Sequence, residues 1–422
     1  MAAQTLIPVS DVVYRGDLYP RLKTDPTTVQ KYAEDLTVLP PIEVNQDNEL
    51  IDGWHRWTAH KKNEEAEIRV VVTKTASDAE LLELAIERNA AHGLQLSQAD
   101  KRDMARRIYG ATAEREREAK KKQLAKILSV SERAVRDWLS RMDKDAKDAR
   151  KVRIFELWLA CNTQQEIADA VGVHAKDKIL AEGSILASVP NNYKPAADHA
   201  TDFDPPLYNV WKQQGKSNGV GHFGNTEVRW LDNLLYLYTD PFDVVVDPFA
   251  GGGSTIDVCC KRFRRYFVSD RNPIIERETE IRQHDITDGI PKVPRWKDVK
   301  LVYLDPPYWK QAEGRYSDDG EDLANMSLDD FSTVLSGTIK KFARKLSDAY
   351  VALIIQPTQW RAPERQYTDH IADMLRLVKL PVEMRIQCPY ESQQCTPQMV
   401  DWAKENQTVL VLSRELVVWR VE

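Results

Sequence analysis

The sequence predicts an α/β protein of more than one domain, whose C-terminal part forms an open, mainly parallel sheet with helices on both faces. The chain has 422 residues, which exceeds the roughly 250–300 residues at which single hydrophobic cores stop growing. Beyond residue 206, short apolar segments alternate with helix-compatible stretches. Residues 96–182 contain no proline and read as almost wholly helical.

Composition and charge indicate a globular protein with one locally basic segment. Hydrophobic residues make up 42% and charged residues 29%, as in a globular chain rather than a disordered one. The net charge is −6, but residues 97–155 contain 18 Lys and Arg against 10 Asp and Glu, a local charge of +8. This basic stretch indicates either a phosphate-binding surface or a solvated helical face with many ion pairs.

The five cysteines are sparse and irregularly spaced, which excludes a disulfide framework and a zinc site of paired CxxC ligands, so no metal site is expected. No segment approaches the roughly 20 apolar residues that span a bilayer, and the N-terminus lacks a signal-peptide pattern. We expect a cytoplasmic protein without membrane association.

Shifts in composition divide the chain into four segments. Residues 1–96 read as a small α/β domain and residues 97–185 as an all-helical region. Residues 186–206 contain four prolines and read as a linker. The strand segments of residues 207–422 are FDVVVDPF, RRYFVSD, EIRQHD, LVYLDPPYW, YVALIIQP, VEMRIQC and VLVLSRELVVW.

A glycine-rich turn follows the first of these strands and is the strongest sign of a ligand. Such a strand-to-helix turn lets the backbone approach a ligand and presents the amides of the next helix. Asp270 ends the next strand, 19 residues beyond Gly251, the spacing at which an acidic residue reaches ribose hydroxyls. The turn lacks the GxGxxG run of dinucleotide sites, so a nucleoside with an amino-acid tail is favoured. The predicted cofactor contacts are Asp247, Pro248, Phe249, Ala250, Gly251, Gly253 and Asp270.

Asp285 follows the third strand and is a further candidate at the same edge of the sheet. Its carboxylate could accept a hydrogen bond from an adenine amino group. The alternative is an aspartate that caps a helix or lies in an exposed turn.

After the fourth strand stands Asp305-Pro306-Pro307-Tyr308, which resembles the [D/N/S]PP[Y/F/W] motif of amino-group DNA methyltransferases. An exocyclic amine is a poor nucleophile because its lone pair is delocalised into the ring. In this interpretation Asp305 and the Pro306 carbonyl accept both amino hydrogens, Pro307 stiffens the turn, and Tyr308 stacks on a base rotated out of the duplex.

The resemblance covers residues 207–422 and implies a Rossmann-like, seven-stranded methyltransferase sheet that binds S-adenosylmethionine. A reversed hairpin of residues 382–388 and 409–419 would close this sheet. Phe223 and Asn225, ahead of the amphipathic segment 228–238, would cover the methionine part of the cofactor. No large target-recognition insert is visible, which predicts a recognition sequence of two to four bases.

Within the helical region, residues 121–142 fit a helix-turn-helix in which Leu124, Leu128 and Val135 join the two helices. Ser131, Arg133 and Arg136 would then face DNA, although a helix pair that only packs remains the alternative. Residues 163–173 match the first half of a second such unit, and the following residues 176–181 match poorly.

The first domain resembles the ParB-like domains. Gly53 and Arg56 stand where that family has its phosphate-binding loop, while Trp54 and His55 replace the family's Glu and first Arg. Asn89 lies in the companion motif. In the family these boxes bind CTP, with the Glu helping to hold magnesium, so CTP is the implied ligand here. Two roles stay open for this domain. It could act as a nucleotide switch, or it could be a scaffold that only docks or that forms a homodimer through the N-terminal half.

The expected function is transfer of a methyl group from S-adenosylmethionine to an exocyclic amino group in double-stranded DNA. Asp at the first motif position favours adenine N6, and cytosine N4 stays open. The rival is a ParB-like DNA-binding regulator with an inactive methyltransferase domain; an RNA methyltransferase is disfavoured by the helix-turn-helix. The expected setting is a bacterial or phage-infected cell, near the nucleoid, with restriction-modification and regulation both open as roles.

Overall fold

The computed structural model describes residues 4–91, 96–189, 193–212, 227–311, 320, 322–359, 367–389 and 396–422. The chain forms two compact units, Met1–Ala149 and Arg150–Glu422. Within the described ranges, no helix has the length and apolar character needed to cross a membrane.

The first unit begins with a small α/β fold, as predicted. Its sheet has the order β1-β4-β2-β3, with β4 parallel to β2 and the other two pairs antiparallel. The strands are β1 (Gln4–Pro8), β2 (Ile42–Val44), β3 (Leu50–Asp52) and β4 (Glu67–Val72), and the helices are α1 (Pro26–Glu34), α2 (Trp54–Lys62) and α3 (Asp78–Ala91).

Helices complete this unit: α4 (Gln98–Ala111), α5 (Arg117–Ile127) and the start of α6 (Glu132–Leu159). The turn between α5 and α6 contains Ser129 with a φ of 49°. Leu124, Leu128 and Val135 are fully buried between the helices, as the pattern of apolar residues predicted. The predicted pair of helices is therefore present, and it is held by side-chain packing.

The predicted helical region is shared between the two units. The end of α6 contributes Ile154, Phe155 and Trp158 to the core of the second unit. Helix α7 (Gln164–Val171) starts at the Thr163–Glu166 capping box, and its buried face joins the same core. The poorly matching segment 176–181 holds only a 3-10 turn at Lys178–Leu180, followed by α8 (Glu182–Leu186). The second candidate helix-turn-helix thus has its first helix, whereas the structure forms no regular second helix over 176–181.

The proline-containing segment differs from the prediction, because it contains a short helix, α9 (Tyr193–Ala197). Buried arginines anchor it. Arg262, which is 0% exposed, donates to the Ala196 carbonyl at 3.1 Å and to the Asp202 carboxylate at 2.7 Å. His199 bonds to Asp232 at 2.9 Å. These contacts supply hydrogen-bond partners that local sequence patterns do not reveal.

The second unit contains the seven-stranded sheet, in the order β12-β13-β9-β8-β5-β6-β7. Strands β5 to β9 are parallel, and β13 is antiparallel to both β9 and β12. The strands are β5 (Val244–Asp247), β6 (Arg265–Asp270), β7 (Arg282–Gln283), β8 (Val299–Leu304), β9 (Ala349–Ile355), β12 (Val382–Pro389) and β13 (Ser413–Val421); β10 (Thr358–Gln359) and β11 (Tyr367–Thr368) form a separate ribbon. The helices are α10 (Val228–Tyr238), α11 (Ser254–Lys261), α12 (Leu328–Ala343), α13 (His370–Val378) and α14 (Pro397–Glu405).

This arrangement confirms the predicted fold class and the reversed hairpin. Two details differ. The last strand begins at Ser413 rather than Val409, which is 83% exposed and whose carbonyl accepts a hydrogen bond from Gln359 at 2.6 Å. Helix α14 lies in the connection of this hairpin, between the two predicted strands, where the sequence analysis named no helix.

Candidate active site

The glycine-rich turn joins β5 to α11 and is organised by a buried carboxylate. Asp247 is 2% exposed; it accepts hydrogen bonds from the Phe249 amide at 2.8 Å and from the Thr255 hydroxyl at 2.5 Å. Gly253 has a φ of 80°, and a Cβ there would lie 2.7 Å from the Arg277 side chain. The left-handed backbone conformation therefore favours glycine at this position.

Asp270 lies beside this turn, as its spacing in the sequence predicted. One carboxylate oxygen accepts from the Gly251 amide at 2.9 Å, and the other accepts from the Asn272 amide at 2.9 Å. Strand β6 neighbours β5 in the parallel sheet, so the two strand ends meet at one edge. The structure brings Asp247, Gly251 and Asp270 together.

Asp285 is at the same end of the sheet but is engaged locally. It caps the 3-10 turn at Ile286–Asp288, accepting from the Thr287 amide at 2.9 Å and the Thr287 hydroxyl at 2.7 Å. Its second oxygen forms an ion pair with Arg271 at 2.9 Å. The capping role that the sequence left open is present, and the Arg271 contact was not foreseen.

The predicted catalytic motif follows β8, which lies next to β5. The Tyr308 hydroxyl donates to a carboxylate oxygen of Asp305 at 3.0 Å. Trp309 is buried, and its carbonyl accepts from the Thr358 hydroxyl at 3.0 Å. Pro306 is also buried, so Tyr308 lies in a short stretch with a buried residue at each end.

The carboxyl groups at this edge of the sheet influence one another. The pKa of Asp247 is raised to about 7, mainly by burial and in part by the negative charges of Asp305 and Asp270, while the hydrogen bonds from Thr255 and Phe249 act to lower it. Three carboxylates therefore lie close enough to interact at one sheet edge. Such a site disfavours a phosphate and suits a ligand that carries positive charge.

Of the other predicted cofactor contacts, three lie in the glycine-rich turn and two lie outside the described residues. Pro248 and Ala250 are buried in the turn and Phe249 is partly buried, packing against the core. Phe223 and Asn225 lie outside the described residues. The predicted helix after them is α10, with buried Trp230 on it. Sequence reasoning missed Thr255, which closely follows the glycines, and Arg277, which gave no local signal because only the fold brings it to Gly253.

The residues predicted to bind DNA lie at the start of α6. Ser131 caps the helix, accepting from the Ala134 amide at 3.2 Å. Arg133 and Arg136 are exposed, and Arg136 lies 3.5 Å from Glu132 across one helical turn. Their cations are therefore accessible to an anionic partner.

The ParB-like box lies at the N-terminus of α2. Gly53 has a φ of 105°, and a Cβ there would lie 2.6 Å from Ile42. Arg56 forms an ion pair with Asp52 at 2.8 Å. Asn89 is buried, and its amide group donates to the Ile51 and Ala85 carbonyls. Asn89 thus supports β3 and α3 from inside the unit.

Comparison with protein families gives one match. Residues 104–280 match the model of the N6/N4 type of DNA methylase. The matched segment contains the glycine-rich turn and Asp270 and ends before Asp305. This match confirms the resemblance to amino-group DNA methyltransferases. No curated protein matches the chain significantly.

Two solved structures show similarity to portions of this chain. The truncated chromosome-partitioning protein ParB from Caulobacter crescentus, complexed to the centromeric parS site, is 17% identical over 43% of this chain and 88% of its own, with a TM-score of 0.24. A SAM-dependent methyltransferase from Archaeoglobus fulgidus is 11% identical over 46% of this chain and 94% of its own, with a TM-score of 0.29. At these scores neither structure carries a functional argument.

The raised pKa of Asp247 predicts a pH-dependent stability. This pKa is about 7 in the folded protein against an ordinary value of 3.8, so protonation favours folding. The resulting stabilisation is complete below about pH 4 and is lost as the pH rises through about 7, at up to about 1.4 kcal/mol per pH unit. In Asp247→Asn this contribution is absent, so the wild-type and variant unfolding free energies should converge or cross between pH 5 and 7 and run parallel above pH 8.

Urea unfolding at intervals of one pH unit measures this. Curves for the wild type and Asp247→Asn that stay parallel over the whole pH range would show that the buried carboxyl titrates normally.

Proposed function

We propose that this protein transfers a methyl group from S-adenosylmethionine to the exocyclic amino group of a base in double-stranded DNA. The observation that carries the proposal is the arrangement of Asp305 and Asp247 at the ends of neighbouring parallel strands, with the glycine-rich turn beside them. The match to the DNA methylases supports the same reaction class.

The chemistry of the site fits this cofactor. S-adenosylmethionine supplies a methyl group on a sulfonium cation, which suits an edge that carries three carboxylates. Asp270 is proposed to bind the ribose hydroxyls, because it is fixed by the Gly251 and Asn272 amides at the end of β6. Asp285 would face the adenine side, with Arg271 holding its carboxylate in place.

Asp305 is proposed to activate the target amine. Its carboxylate and the Pro306 carbonyl accept the two amino hydrogens, which favours a pyramidal nitrogen whose lone pair points toward the methyl group. Buried Pro306 and half-buried Pro307 set this geometry before the base arrives. Because the amino group is not reachable inside the helical stack, the base must rotate out, and Tyr308 is placed to stack on it.

The basic helices of the first unit are proposed to bind the DNA backbone. The exposed cations of α6 supply affinity and placement, and base contacts supply sequence choice. Few side chains can then read base edges, so we expect a recognition sequence of about two to four bases. Adenine is the favoured target.

The first unit is further proposed to bind CTP at the α2 N-terminus. The left-handed conformation of Gly53 and its lack of room for a side chain favour a loop built for close approach of a ligand. Phosphates would have to compete with Asp52 for Arg56.

Asp305→Ala should lower the methylation rate by about 100-fold or more, because it removes an acceptor used in the transition state. The dissociation constant for S-adenosylmethionine should stay within about 3-fold of the wild type, since the glycine-rich turn is unchanged. Mass analysis of nucleosides from methylated DNA gives the rate and identifies adenine or cytosine as the target. Preserved turnover with weakened cofactor binding would contradict the assignment.

Neutralising Arg133 and Arg136 together, as Arg133→Gln with Arg136→Gln, should weaken DNA binding. The slope of log affinity against log salt should fall by up to about one unit for each lost phosphate contact. The control is Arg153→Gln, which neutralises an exposed arginine at the other end of α6. An unchanged slope in the double variant would show that this helix end does not face DNA.

Calorimetry with CTP tests the nucleotide proposal by two changes of opposite sign. Arg56→Ala should weaken binding, whereas Asp52→Asn should strengthen it by releasing the guanidinium. Absence of CTP binding in the wild type would leave the first unit as a docking or dimerisation scaffold.

A further inference from the structure

A buried arginine lies next to the proposed catalytic tyrosine. Arg414 is 9% exposed, and its guanidinium carbon lies 5.0 Å from the centre of the Tyr308 ring. It also lies 5.9 Å from the ring centre of Trp230, which is 1% exposed on α10. Both distances are within the roughly 6 Å range of a cation–π interaction.

The sheet topology explains how a residue so late in the chain reaches this place. Strand β13 runs antiparallel to β9, and Glu415 pairs with Ile355, the last residue of β9. The start of β13 therefore lies at the edge where the parallel strands end. That edge also carries Asp305, since β8 is the other neighbour of β9.

The Arg414 guanidinium is buried against two aromatic rings. Removing a guanidinium from water is unfavourable unless nearby groups compensate it, and desolvated cation–π contacts are stronger than exposed ones. The ring that Arg414 contacts is the same ring whose hydroxyl donates to Asp305 at 3.0 Å. Arg414 thus contacts the ring of Tyr308, and Asp305 accepts a hydrogen bond from the hydroxyl of the same side chain.

We propose that Arg414 is a positioning residue that holds the Tyr308 ring for base stacking and keeps its hydroxyl on Asp305. This inference rests on the proposed function. With one face of Tyr308 covered by the guanidinium, the base stacks on the other face, in the order cation, tyrosine ring, base. Through Trp230 the same cation also contacts α10, the helix ahead of the glycine-rich turn, and so ties the base side of the site to the cofactor side.

The test is a double-mutant cycle on single-turnover methylation rates, using Arg414→Met, Tyr308→Ala and their combination. Arg414→Met should slow the reaction by about 10- to 30-fold, the rate equivalent of one desolvated cation–π contact. In the Tyr308→Ala background the same change should have little further effect, because Arg414 acts through the ring. Arg414→Lys should restore part of the rate, since it retains the cation.

Two measurements separate positioning from general damage. The melting temperature and the affinity for S-adenosylmethionine should change little in Arg414→Met. Arg385→Met is the matched control, because it removes a cation that pairs with Glu415 on the same hairpin, at 2.5 Å. It should leave the methylation rate unchanged.

Rate losses that multiply in the double variant would overturn the proposal, as would a loss of cofactor affinity equal to the loss of rate. A crystal structure of Arg414→Met supplies a test that needs no turnover. It should show the Tyr308 ring displaced from Asp305, and an unchanged ring would overturn the proposal. An inactive wild-type protein would instead refute the methyltransferase assignment.

Discussion

The buried carboxyl group of Asp247 is the interaction on which the cofactor edge depends. It ends the central strand β5 and binds both the Phe249 amide and the Thr255 hydroxyl, so it fixes the chain before and after the glycines. With the turn fixed in this way, the Gly251 amide points at Asp270 on the neighbouring strand. Two internal donors satisfy the Asp247 oxygens, but burial still outweighs them for the ionised form, which is why the pKa of this carboxyl is raised to about 7.

The same burial sets the charge of the site. Since Asp247, Asp270 and Asp305 interact at one edge, each additional negative charge there becomes less favourable, and a cationic ligand relieves the repulsion. Arg414 balances this on the side of Tyr308, away from the glycine-rich turn. Asp305 and Arg414 therefore bring an acid and a cation together on the Tyr308 side of the edge, whereas Asp247 and Asp270 lie beside the glycine-rich turn.

Most of this arrangement could be predicted from local sequence patterns. The strand segments, the glycines and the position of Asp270 are encoded within short stretches, because parallel strands place their carboxyl ends together without further information. The contacts of Arg414 could not be predicted, since they depend on which strand lies beside β9. The division of the helical region was missed for a similar reason: Ile154 and Phe155 read as one helix with α6, and only packing shows that they belong to the second unit. The pairing of Arg271 with Asp285 likewise joins two separate strand ends.

Hydrogen bonds between the ends of three strands hold the residues next to Tyr308. The Thr358 hydroxyl, after β9, bonds to the Trp309 carbonyl, after β8, and to His370. Gln359 extends this connection to the residues before β13 through the Val409 carbonyl. Trp309 is buried directly after Tyr308, so these bonds fix the backbone beside the tyrosine without using the tyrosine itself. The Tyr308 ring is thereby positioned by its neighbours before any ligand arrives, which is the kind of support from surrounding residues that a precise binding site requires.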